Sequence, residues 1–197
     1  SLTAIHLACE SIKREECAMA VAGGVNLILH PMHYVRYSMM NMIASDDKCK
    51  SFGNGADGFV DGEGVGAIIL KRRKDAERDG DHIYGIIKGS YMNACGKTNG
   101  YTVPSPIAQA EAIEKACEKA KIRVNDISYI EAHGTGTSLG DPIEIAGLER
   151  AFGKETGTRY PVSIGSVKAN IGHVEAAAGV ASLTKVLLQM KQIGRAH

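Results

Sequence analysis

The chain has 197 residues, enough for one ordinary domain or for two halves sharing a core, and too many for a small disulfide-stapled scaffold. Lys and Arg total 23 against 22 Asp and Glu, so a net charge of +1 offers no field that would draw nucleic acid or an anionic membrane. The five cysteines (Cys9, Cys17, Cys49, Cys95 and Cys117) stand far apart, with no Cys-x-x-Cys pair. That spacing argues against a metal or redox motif and for reduced thiols. No apolar run reaches the roughly 18 residues of a membrane span, and no signal-peptide pattern follows Ser1; a soluble, cytoplasmic protein is expected.

In chain order, Leu2, Ile5, Ala8, Cys9 and Ile12 recur at helical spacing, and Ala18 to Val25 reads as a buried strand with a glycine turn. A helix feeding a buried strand predicts an α/β protein. Pro31 to Met42, rich in Met and Tyr, predicts a short helix used for core or interface packing. The glycine-dense stretch from Asp46 to Gly66 predicts loops, ending where Val65 to Leu70 begins a second apolar strand. Its acids Asp57, Asp61 and Glu63 lack the spacing of a calcium loop and suit turn capping better, so no metal is expected.

The charged segment Lys71 to Asp81 predicts a solvated helix or connector, and Ile83 to Gly89 a further buried strand. Residues near 80 are therefore the expected internal boundary, dividing the chain into 1–80 and 81–197. Ala108 to Lys121 carries Ala112, Ile113, Ala116, Cys117 and Ala120 on one amphipathic face. Ile127 to Ala132 predicts a strand that delivers His133, and Pro142 with Asp141 as N-cap predicts a helix through Phe152. A strand over Val162 to Val167 and an Ala-rich helix over Glu175 to Met190 flank His173 in the same way.

Both histidines thus stand at strand ends, where α/β proteins place their sites, each in a glycine-bearing turn. Two neutral imidazoles side by side can polarise a carbonyl and handle the charge that develops on it, which suits enolate chemistry. Lys168 suits two readings equally at this point: it holds a carboxylate, Glu144 or Glu175, or it is a plain surface lysine. Thr135 and Thr137 alternate with Gly134 and Gly136, so both hydroxyls can point to one side and bind an amide-bearing arm.

The segments Glu131-Ala-His-Gly-Thr-Gly-Thr-Ser-Leu-Gly-Asp-Pro-Ile-Glu144 and Val167-Lys-Ala-Asn-Ile-Gly-His-Val-Glu-Ala-Ala-Ala-Gly179 resemble the two histidine motifs of the β-ketoacyl synthase (ketosynthase) domains of modular type I polyketide synthases. Ala56 to Gly64 and Ser1 to Cys9 resemble two more stretches of that family, and Gly96 to Pro104 resembles ketosynthases served by a separate acyltransferase. The resemblance implies a thiolase-like layered α/β fold, here incomplete at both ends. Residues 1–80 would be the end of the first thiolase-like half and 81–197 most of the second.

The implied reaction is a decarboxylative Claisen condensation of an acyl thioester with a malonyl unit on acyl carrier protein, catalysed by a homodimer. His133 and His173 would be the catalytic pair with Lys168 in support, Thr135 and Thr137 would contact the carrier's phosphopantetheine arm, and Glu144 and Glu175 would be supporting carboxylates. No cofactor is implied for the domain itself. The family's nucleophilic cysteine would fall just before Ser1. Cys9 is rejected as its substitute because a helical, buried thiol is inert, and His197 is rejected because the Gly194–His197 ending does not resemble the family. Exposed sheet edges and apolar faces are expected to make the isolated chain poorly soluble. A fatty-acid-type ketosynthase and a non-condensing, carrier-binding relative are the alternatives; His133 argues against the second.

Overall fold

A computed structural model describes residues 1–98, 100, 102–153 and 162–193; Asn99 and Tyr101 of the Gly96 to Pro104 stretch, and Gly194 to His197, lie outside the described residues. In order, the elements are α1 (Leu2–Lys13), β1 (Met19–Asn26), α2 (Met32–Met39), β2 (Gly64–Lys71), α3 (Arg73–Asp79), α4 (Pro106–Ala120), β3 (Tyr129–Glu131), α5 (Gly140–Phe152), β4 (Ser163–Gly165), α6 (Lys168–Ile171) and α7 (Ala178–Ile193). Single 3₁₀ turns at Val124–Asp126 and Glu175–Ala177 precede β3 and α7. None of the described helices is long and apolar enough to cross a membrane. The residues group into two compact units.

The first unit comprises Ser1–Leu27, Gly62–Ile87 and Val174–His197. Here β1 and β2 pair antiparallel, with Ala22 opposite Ile68 and Val21 opposite Ile69. Because side chains alternate along a strand, one face carries Ala22 and Ile68 toward the helices, where Ile68 packs on the core of Val174, Ala177 and Val180. Gly24 and Gly66 let that packing close: a Cβ at Gly66 would lie 2.9 Å from Val180 Cγ1, and one at Gly24 would lie 2.5 Å from the Ala176 carbonyl oxygen. The opposite face leaves Val21, Val25, Val65 and Ile69 exposed.

Helix α1 buries Ile5 and Ile12, the expected stripe, but Cys9 between them is only half-buried, a correction to the sealed thiol expected there. Burial still raises its pKa, so the thiol stays protonated and a poor nucleophile. The Ser1 hydroxyl accepts a hydrogen bond from Val180 N–H at 2.9 Å, satisfying one donor in the first turn of α7.

The second unit comprises Ile28–Asp61 and Lys88–His173. Its core is Ala110, Cys117, Val124, Ala151 and Phe152, packed between α4 and α5 with Ile130 of β3 against it. Helix α4 starts two residues earlier than the periodicity predicts: Ser105 caps it by accepting from Ala108 N–H at 3.2 Å, and Pro106 takes the first turn. Strands β3 and β4 pair parallel, Tyr129 opposite Ser163 and Glu131 opposite Gly165. Each ends in a loop bearing one of the motif histidines or Lys168.

Three expectations are corrected. No strand forms over Ile83 to Gly89. A strand needs a ladder partner, and without one the segment runs irregularly with Tyr84 and Ile86 exposed. Of the core or interface packing expected for helix α2, the core alternative fails: none of its residues is buried, and Met32 and Met39 are exposed. Asp141 does not cap α5, which begins two residues earlier with Leu139 at the N-cap position; its carboxylate instead serves the histidine loop described next.

Candidate active site

The site lies within the second unit, where the β3 and β4 ends meet the loop 49–61. Ala132 N–H donates to the Gly165 carbonyl at 2.8 Å, extending the parallel ladder by one step and setting the two strand ends side by side. The chain then turns through Gly134 (φ 46°) and Gly136 (φ 73°), backbone angles that side-chain-bearing residues avoid. A Cβ at Gly134 would stand 2.8 Å from Ser166 Cβ, so glycine is needed for space as well as for angle.

Four carboxylate bonds hold this turn. Glu144 on α5 accepts from His133 N–H at 2.7 Å and from Gly134 N–H at 2.8 Å, one on each oxygen. Asp141, buried, accepts from Gly136 N–H at 3.0 Å and from Phe52 N–H at 2.6 Å, tying the turn to the loop 49–61. Charge-assisted bonds of this kind are about twice as strong as neutral ones. Ser166 Oγ donates to the His133 carbonyl at 3.2 Å, and Ser51 Oγ donates to that of Gly134. His133 is thus held through its backbone on both sides.

His173 arrives by a different route. Helix α6 is a single turn ended by Gly172 at φ 76°. A Cβ there would lie 2.8 Å from the Val60 carbonyl oxygen. That carbonyl accepts from His173 N–H at 2.7 Å, and Asp61 and His173 form a parallel bridge. The Val60 N–H in turn donates to Cys49 Sγ at 3.0 Å. Phe59, buried, lies against the His173 ring with centroids 5.0 Å apart.

The two imidazoles meet: the His133 and His173 ring centroids are 5.5 Å apart, edge to face. Desolvation, then the Lys168 charge, lowers the His133 pKa to about 4; the same two causes and His133 itself lower His173 to about 3. His133 nevertheless keeps solvent-reachable surface. Both rings are neutral at physiological pH, each able to donate from one nitrogen and accept at the other.

Lys168 is 2% exposed, and burial lowers its pKa; the charges of Glu144, Glu131, Cys49 and Asp141, in that order, oppose the shift. Of the two carboxylates expected to hold it, Glu144 is therefore the one whose field acts most strongly within this unit. Glu175 belongs to the first unit, where it opens a 3₁₀ turn with φ 37°. Glu131 also holds the second loop, accepting from Val167 N–H and from Tyr129 Oη, both at 2.6 Å.

The Thr135 and Thr137 hydroxyls stand Oγ1 to Oγ1 at 3.1 Å, with Thr135 buried. Thr137 also accepts from Gly140 N–H at 3.1 Å and, with Phe52, Asn54, Pro142 and Ile145, lines an open cleft of about 540 Å³. Asp57 accepts from Ser45 N–H at 3.2 Å, and Asp61 pairs with His33 at 2.8 Å. Sequence reasoning missed Glu131, Cys49, Phe59 and the loop-tying role of Asp141; the motifs contain all but Cys49, yet no local periodicity says which atoms they reach.

Comparison with known proteins gives the histidine pair a class. The family model described as beta-ketoacyl synthase, C-terminal domain, matches residues 84–193, and that for the N-terminal domain matches residues 1–76. The chain belongs to the β-ketoacyl synthase family. It is 62% identical to polyketide synthase PksM of Bacillus subtilis (strain 168) over 191 residues, 97% of this chain and 4% of that protein. It is 56% identical to polyketide synthase ThaG of Burkholderia thailandensis over 193 residues, which are 3% of that protein.

Among solved structures, the ketosynthase from module 6 of the bacillaene synthase of Bacillus subtilis 168 superimposes with a TM-score of 0.94 at 51% identity. The oxazolomycin ketosynthase domain OzmH KS7 from Streptomyces albus JA3453 gives 0.94 at 50%. Each comparison covers 97% of this chain and 34% of the solved one, so the chain spans about a third of a solved ketosynthase and shares its thiolase-like α/β fold over that span.

Proposed function

We propose that this chain supplies the histidine half of a polyketide-synthase ketosynthase that joins an acyl thioester to a malonyl unit by decarboxylative Claisen condensation. The observation that carries the reading is the His133–His173 pair, edge to face at 5.5 Å beside the buried Lys168. The malonyl C–C bond to the carboxylate breaks, CO₂ leaves, and the electron pair passes into the thioester carbonyl as an enolate. Donors at His133 and His173 stabilise the enolate oxygen; imidazoles kept neutral by burial and by Lys168 supply N–H groups without carrying a competing charge. The enolate carbon then attacks the acyl thioester, and the enzyme's cysteine leaves as thiolate.

The adjoining Thr135 and Thr137 hydroxyls suit the amide groups of a phosphopantetheine arm, delivered by acyl carrier protein, while Glu144 holds the His133 turn and, with Glu175, makes up the supporting carboxylates. The domain itself needs no cofactor. Residues 1–80 and 81–197 are assigned to the two thiolase-like halves, and the parent to a cytoplasmic homodimeric synthase served by a separate acyltransferase. The named relatives are polyketide synthases, which favours that substrate class over plain fatty-acyl chains.

The test is His173→Ala in the complete ketosynthase that carries this chain, with mass spectrometry of the carrier-bound product. Loss of the chain-extended product, with acyl transfer to the enzyme retained, is expected. Unchanged extension would overturn the assignment.

A further inference from the structure

His33 on α2 lies outside both histidine motifs, yet it connects to His173 by two separate routes. The first is a run of aromatic contacts. His33 meets Tyr37 with centroids 4.9 Å apart, Tyr37 meets Phe59 at 5.5 Å, and Phe59 meets His173 at 5.0 Å, the first two edge to face. The second is polar: His33 Nε2 pairs with Asp61 Oδ2 at 2.8 Å, and the Asp61 side chain has no exposed surface. Asp61 is the residue whose backbone bridges to His173, next to the Val60 carbonyl that accepts the His173 N–H.

The three residues Phe59, Val60 and Asp61 therefore form the wall that holds His173, and His33 reaches both of its ends. A buried carboxylate keeps its place only while a donor compensates it. Removing the imidazole takes one partner from the buried Asp61 carboxylate and removes the ring against which Tyr37 packs. Displacement of a reacting group by about 1 Å, even by a change outside the site, can cost about a hundredfold in rate.

We propose that His33 is a positioning residue for the condensation: through Asp61 and Tyr37 it fixes the Phe59–Asp61 wall and with it the His173 imidazole. The proposal rests on the ketosynthase reading of the His133–His173 pair.

The experiment uses the complete ketosynthase with His33→Ala, His33→Gln and Asp61→Asn. It measures kcat, KM for malonyl-loaded carrier protein, thermal midpoint, and the imidazole NMR signals of His173 in histidine-labelled protein. His33→Ala is expected to lower kcat by about ten- to a hundredfold with KM changed by less than about twofold, and to shift the His173 signals. His33→Gln, whose amide keeps a polar group beside Asp61, is expected to recover most of the rate. Asp61→Asn, which keeps the shape and removes the charge, should lower kcat in the same direction and serves if the alanine variant does not fold.

Wild-type kcat with unmoved His173 signals in His33→Ala or Asp61→Asn overturns the proposal. So does a rate loss that merely follows the unfolded fraction. A wild-type enzyme that makes no carbon–carbon bond overturns the function reading instead, and the His173 signals then still decide whether His33 positions that ring.

Discussion

The imidazoles of His133 and His173 stand edge to face, with ring centroids 5.5 Å apart and planes at 84°. At that distance each ring is part of the other's environment. A proton placed on one becomes a repulsive charge for the other, and Lys168 adds a third.

A titration follows from this. Burial and the Lys168 charge hold both below the ordinary histidine range, His133 at about 4 and His173 at about 3. Their folded pKa values lie below the unfolded value of about 6.5, so the unfolded chain binds these protons more readily. Their contribution to stability is fully present above that value and lost as pH falls toward the folded ones. Lys168→Met should raise both histidine midpoints, because the charge it removes lowers both. Imidazole NMR signals recorded against pH read this directly; midpoints that stay put in Lys168→Met would exclude Lys168 as a cause.

Asp141 should matter more to stability than its place in a Gly-Asp-Pro turn suggests. It is 5% exposed and accepts from Gly136 and Phe52 N–H groups on opposite oxygens. Asp141→Ala leaves two donors buried without acceptors, at about 1–3 kcal/mol each. Asp141→Asn keeps one acceptor and should lose about half as much. Urea unfolding separates the two, and an alanine variant as stable as wild type would show that water reaches those donors.

The histidine motifs were legible because glycine announces where a chain must turn. Gly134, Gly136 and Gly172 all take positive φ, and each sits within one to three residues of a motif histidine. The hydrophobic period likewise predicts α1, β1, β2, α4 and α5, although β1 and β2 turn only one face inward and leave Val21, Val25, Val65 and Ile69 exposed. What the period could not supply is partnership. Ile83 to Gly89 has the pattern of a buried strand and forms none, because a pattern encodes a face and not a neighbour. Glu131, Asp141 and Cys49 act across 36, 89 and 11 positions of sequence, on Val167, Phe52 and Val60. Local pattern carries no information at such separations.

Glycine substitutions should divide by surroundings. Gly172→Ala and Gly136→Ala combine positive φ with backbone contacts, the Val60 oxygen at 2.8 Å and Lys50 N at 3.0 Å. Gly80 has φ 72° but nothing within 4 Å of a built Cβ. Gly80→Ala should therefore cost only the conformational term of about 1 kcal/mol, while the other two lose more and disturb His173 or the His133 turn. Thermal midpoints test the ranking; equal losses at all three positions would mean that the loop contacts relax at no cost.

Glu144 joins the two halves of the site, and its removal should show it. One oxygen accepts from His133 N–H, the other from Gly134 N–H, and its charge is the strongest of those that offset the desolvation of Lys168. Glu144→Gln turns an N–H₂ group toward one of those backbone donors, so one bond is lost and a repulsion replaces it, at about 1–3 kcal/mol. It also removes a negative charge from Lys168, whose pKa should fall further. Glu144→Asp keeps the charge but shortens the reach, so it should restore the Lys168 pKa more fully than the turn. Amide signals of His133 and Gly134 report the turn, and the Lys168 side-chain signal followed against pH reports the charge. A glutamine variant that moves the amide signals and leaves the lysine midpoint in place would show that Glu144 serves only the turn and that Glu131 carries the compensation of Lys168.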